Sequence, residues 1–86
     1  MGKLYNEALS YARQVGLDQK AEYDSDNNVV YLGYAFPGAL TSQAKWQITK
    51  MEYDSNNNMT SMRWAGATDD FTKVWDDRAA YSYVDI

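Results

Sequence analysis

Apolar and polar residues alternate through the stretch from Ala44 to Ala65, with Trp46, Ile48, Met51 and Tyr53 on one side of a polar run and Met62 and Trp64 on the other. The run is Asp54-Ser55-Asn56-Asn57-Asn58, residues that bond to their own main chain or accept left-handed backbone. Two alternating segments around such a run predict a β-hairpin. Residues 20 to 35 repeat it. Ala21 to Ala35 aligns with Met51 to Ala65 at an offset of thirty residues, and seven of the fifteen positions are identical. Self-similarity of this kind suggests one strand-turn-strand unit used twice. It also sets a phase, in which Val30, Leu32 and Tyr34 correspond to Thr60, Met62 and Trp64; Leu32, Met62 and Trp64 are expected to face the core, with Ser61 and Arg63 pointing away.

Within Trp46 to Tyr53 the apolar parity changes between Ile48 and Met51, which asks either for a strand apolar on both faces or for a bulge near Thr49-Lys50. Phe36-Pro37-Gly38-Ala39-Leu40-Thr41-Ser42 reads as the loop between the hairpins, because Pro37 removes a ladder donor and holds Phe36 extended. Ahead of the first hairpin, Leu4, Ala8, Tyr11, Ala12 and Val15 recur at three-and-four spacing. That spacing predicts a helix over residues 3 to 15, stopped at Gly16 and packing its stripe on the sheet. After Trp64, Phe71, Val74 and Trp75 suggest one helical turn, and Ala79 to Val84 suggests a terminal strand. The expected class is α+β: one domain over 1-86, with an N-terminal helix (1-17) on a β-rich body (20-84), the body being a small antiparallel sheet or partly closed barrel of four to five strands.

Length makes the aromatic residues important. A chain of 86 residues buries only about 60 to 65% of its unfolded surface. With no cysteine, no disulfide or thiolate cluster adds to the core, and with no histidine the commonest metal ligand and general base are both missing. Three Trp, eight Tyr and two Phe remain to fill a core or to make contacts. Twelve acidic residues against eight scattered basic ones argue against nucleic acid as a partner, since no phosphate-neutralising patch is formed. The opening MGKLYNEALSYARQVG lacks an apolar signal core, and no stretch approaches a membrane span, so a soluble protein made in a cytoplasm is expected.

Two constellations carry possible chemistry. Asp24, Asp26 and Asn28 have the alternate-residue spacing of a calcium loop, but its sixth and twelfth positions are Val29 and Ala35 rather than glycine and glutamate, so a plain turn is preferred and no metal or other cofactor is expected. Trp75-Asp76-Asp77-Arg78 sets two carboxylates beside a guanidinium. Paired acids can serve glycoside hydrolysis, yet nothing here supplies a cleft, and the favoured reading is a structural clamp of Asp76, Asp77 and Arg78 in a protein that is not an enzyme. A small core needs the aromatic rings first, and Tyr31, Phe36, Trp46, Trp75, Tyr81 and Tyr83 are the candidates for interface or ligand contacts.

The segments Tyr31 to Gly38, Thr41 to Ile48 and Phe71 to Tyr83 carry the patterns Y-x-G-x-A-x-P-G, T-S-x-A-x-W-x-I and F-x-x-x-W-D-D-R-x-x-Y-x-Y. These resemble a family of small virion-associated proteins encoded by tailed bacteriophages. The resemblance spans residues 29 to 84 and attaches no catalytic role. It implies a structural or adaptor component of a phage head, neck or tail, located in the virion and made in the host cytoplasm, that self-associates as a homo-oligomer and docks on other virion proteins. A strand apolar on both faces, Val29, Tyr31 and Ala35 against Val30, Leu32 and Tyr34, adds a reason for a partner. The alternative is a carbohydrate-binding or receptor-binding module using exposed Trp and Tyr platforms.

Overall fold

The computed structural model describes residues 16–84, and the helix expected over residues 3 to 15 lies outside them. Five strands make up the sheet: β1 (Asp18–Tyr23), β2 (Val29–Ala35), β3 (Ala44–Tyr53), β4 (Met59–Trp64) and the two-residue β5 (Lys73–Val74). The first four form an antiparallel meander in chain order, and β5 pairs with β3. Two short 3₁₀ segments, Ala65–Ala67 and Trp75–Ala80, are the only helical turns among the described residues. The α+β expectation is therefore corrected, since the described chain is an antiparallel sheet without an α-helix. The sheet also stays open, because β1 and β4 are its two ends and do not pair with each other.

The two hairpins are built alike. The Asp24 carboxylate accepts the backbone N–H groups of Asp26 and Asn28 at 2.8 and 3.0 Å, and Asp54 accepts those of Asn56 and Asn58, both at 2.9 Å. Asn27 and Asn57 sit at φ 63° and 64°, the left-handed region that asparagine tolerates. Both ladders slip by one residue just before the turn, between Glu22 and Tyr23 and between Glu52 and Tyr53. Glu22 pairs with Tyr31 as Glu52 pairs with Ser61, thirty residues on in each strand. The turns touch one another through Asn28 Nδ2 donating to Asn57 Oδ1 at 3.0 Å. The N–H of Asn58, and after it that of Asn56, holds the Asp54 carboxyl below its ordinary pKa. A depressed folded-state pKa makes this contribution complete above the usual carboxylate range and lost as pH falls through it.

Strand register gives the sheet two faces, both buried at its centre. On one face Ala35, Trp46 and Ile48 join Ala65 and Trp75 in a cluster, with Tyr31, Tyr81 and Tyr83 packed against it. On the other, Val29, Leu32 and Met51 form a second cluster with Ala21 and Tyr53. The parity change along β3 is thus met by burial on both faces, with no bulge at Thr49-Lys50; the register shifts lie at Lys45 in β3 and opposite Glu52/Tyr53, at Thr60 in β4. Buried polar side chains in β3 and next to it find partners. Gln47 Nε2 donates to the Asp69 carbonyl at 2.7 Å, and Tyr53 Oη donates to the Val29 carbonyl at 2.6 Å.

Three further expectations change. Leu32 is 1% exposed, as its phase required, but Met62 is 44% exposed and Trp64 only half-buried. Strand position accounts for the difference: among the described residues β2 has a neighbour on each side, whereas β4 has one. No strand forms over Ala79 to Val84; the chain runs from the Trp75–Ala80 segment into residues without regular structure. The Tyr81 and Tyr83 alternation marks a strap lying on the sheet, with Gly66 N–H donating to the Ser82 carbonyl at 2.8 Å.

Candidate functional site

The C-terminal strap, residues 75 to 83, closes one face by placing Trp75 over Gly33. A Cβ at Gly33 would stand 2.6 Å from Trp75 Cε3 and 3.2 Å from Trp46 Cε3, so only glycine lets both indoles approach the strand. The two rings meet at 6.0 Å between centroids, tilted by 42°, and Trp46 Nε1 donates to the Leu40 carbonyl at 3.0 Å. Trp46 and Trp75 are 2% and 6% exposed. Of the core and contact roles open to them, these rings take the core, because a small sheet with a thin core uses its largest apolar side chains first.

Tyr31, Tyr81 and Tyr83 are half-buried around these rings. Tyr31 and Tyr83 pack at 5.8 Å, and Lys50 Nζ lies 5.9 Å from the centre of each ring. Tyr83 Oη donates to the Arg78 carbonyl at 2.7 Å, and burial above all pushes this phenol well above its ordinary pKa. Tyr81 Oη accepts the Val74 N–H at 2.8 Å. The tyrosines therefore act first as struts of the strap, each with its hydroxyl engaged or its ring packed.

Arg78 is tied to a carboxylate, that of Glu22 in β1 and not of Asp76 or Asp77. Its Nε donates to Glu22 Oε1 at 2.6 Å, its Nη1 to the Trp75 carbonyl at 3.1 Å, and its guanidinium lies 4.6 Å from the centre of a Trp75 ring. Asp76 and Asp77 are exposed, at the first turn of the 3₁₀ segment. Neighbouring side chains on so tight a turn diverge, so the guanidinium folds back onto the sheet and takes its carboxylate from β1. Arg78→Ala is expected to destabilise the fold by about 1 to 3 kcal/mol. A part-exposed ion pair supplies at most ~1 kcal/mol of this, and the carbonyl bond and ring contact supply the rest. The urea midpoint measures it, and an unchanged midpoint would remove the clamp assignment.

Exposed apolar surface gathers elsewhere. Phe36 and Leu40 are each 62% exposed, and Phe36 stacks on Phe71 at 5.0 Å. With Pro37, Gly38, Ala39 and Lys45 these two rings line a pocket of about 370 Å³. Of the six aromatic candidates for a contact surface, Phe36 alone is mostly exposed. Phe71, Lys45 and Leu40 were not anticipated, although the loop prediction at Phe36-Pro37-Gly38 already put apolar side chains where water reaches them. A second exposed strip is β4, where Met59 and Met62 are 41% and 44% exposed.

Among the described residues no group of three or more acidic side chains is placed to hold a metal ion, and no helix is long and apolar enough to cross a membrane. Comparison of the chain with protein-family models, with curated proteins and with solved structures finds no match.

Proposed function

We propose that this protein is a structural or adaptor component of a phage particle, working by self-association and by docking on other virion proteins. The observation that carries the self-association is the outer strand β4. Among the described residues it pairs with β3 alone, its sequence Met59-Thr60-Ser61-Met62-Arg63-Trp64 carries a single charge and no proline, and two methionines stand exposed on it. A sheet edge with so few guards is a template for another strand. The Phe36–Phe71 pocket gives a second, separate apolar contact for a different protein. The virion setting rests on the resemblance in residues 29 to 84. Light scattering of the purified chain over a range of concentrations, with a mass-spectrometric inventory of purified particles, tests both parts. Concentration-dependent association and presence in the particle support the proposal; a permanent monomer absent from particles ends it.

The same pocket favours a ligand-binding module as the second reading, with sugar rings seated on Phe36 and Phe71 beside Lys45. Defined binding on a glycan array by a chain that ignores every virion protein would put this reading first.

A further inference from the structure

The repeated hairpin contains a rule for joining copies of the chain. Adding thirty to each residue number carries β1 onto β3 and β2 onto β4 with faces preserved, and the two ladders have the same register and the same slip beside the turn. The hairpins are joined by β2 against β3, antiparallel, with Tyr31 opposite Lys50, Leu32 opposite Thr49, Gly33 opposite Ile48 and Tyr34 opposite Gln47. Shifting this junction along the repeat puts β4 in the place of β2, and a β1 in the place of β3. That β1 has to come from another copy, because within one chain β1 and β4 lie at opposite ends of the sheet, about three strand spacings or ~14 Å apart.

Resting on the self-association reading above, we infer that β4 of one copy pairs antiparallel with β1 of the next, with Ser61 opposite Lys20, Met62 opposite Gln19 and Arg63 opposite Asp18. The occupant is a second copy, and charge selects it. Arg63 and Asp18 fall directly across from each other on one face, where opposite charges support pairing. On the same face the Arg63 guanidinium also reaches Glu52 at 2.8 Å. Two β4 strands meeting each other would bring two arginines to the interface with no acid between them. Two β1 strands would place Asp18 and Glu22 of each against the other. The junction is head to tail, so it propagates into a closed ring where the sheet twist closes it and into a filament where it does not.

Engineered cysteines test the register without background, since the chain has none. A Lys20→Cys chain and a Ser61→Cys chain, mixed and oxidised, are expected to form a disulfide-linked pair in high yield. The mixture of Lys20→Cys with Met62→Cys, whose side chains leave on opposite faces, is expected to link at least tenfold less. Met62→Lys, on the surface of the single chain, is expected to weaken association at least tenfold while leaving the urea midpoint of the dilute chain in place. Association that persists with linkage of Ser61→Cys chains to themselves, or with equal yields in the two mixtures, would overturn this register and leave self-association standing. A chain that stays monomeric at every concentration and links in neither mixture would overturn both.

Discussion

Trp75→Ala is expected to lower stability by about 3 to 5 kcal/mol, the largest effect of any single truncation in the strap. Three contacts are lost together. The indole fills the space over Gly33, meets the Trp46 ring, and carries the Arg78 guanidinium on its face. On the sheet side the space is bounded by Gly33, which has no side chain to fill it, and this places the cost in the upper part of the range for large-to-small changes. Gly33→Ala attacks the same contact from below. Its methyl group would press on two rigid rings whose own positions are fixed by the Leu40 carbonyl and by Arg78, for an expected cost of about 1 to 3 kcal/mol. Chemical denaturation of both variants measures this. A small loss in Trp75→Ala together with a neutral Gly33→Ala would mean that the strap does not sit on the sheet.

The second large effect separates positions that the repeat makes equivalent. Leu32→Ala should cost about 2 to 5 kcal/mol, because Leu32 is enclosed with Val29 and Met51 and is 1% exposed. Met62→Ala, thirty residues further on, should stay within about 0.5 kcal/mol of wild type when measured on the dilute chain. Ser61→Ala should be equally mild, since Ser61 gives up one exposed bond, at 2.9 Å, to Glu52. Equal losses at Leu32 and Met62 would show that β4 is covered as thoroughly as β2.

That contrast explains how far the sequence could be read. Turn chemistry is local, so Asp54-Ser55-Asn56-Asn57-Asn58 and its earlier copy announced two hairpins, and the copies share a bond pattern and a bulge. Burial is not local. The repeat assigned Met62 and Trp64 the surroundings of Leu32 and Tyr34, but an identical pattern on a terminal strand has lost one flank. Trp46 and Trp75 were open to either a core or a surface role, and the glycine that decides between them lies 42 positions before Trp75 in the chain. Arg78 was read beside Asp76 and Asp77 because they adjoin it; Glu22, its partner, is 56 residues away. Tyr81 and Tyr83 alternate as a strand would, yet they form a strap whose hydroxyls serve the backbone of Val74 and Arg78.

The strap also orders events in time. Each hairpin closes through a short turn, and β2 meets β3 across a short loop, so the four main strands can pair as soon as they are made. The face holding Ile48 and Trp46 has to wait for Trp75 to Tyr83. Until those residues dock, the sheet is paired but half-covered. Through that interval the exposed apolar face and the β4 edge can both meet another chain. Premature sticking there competes with completion of the fold, and the last residues of the strap are what end the contest.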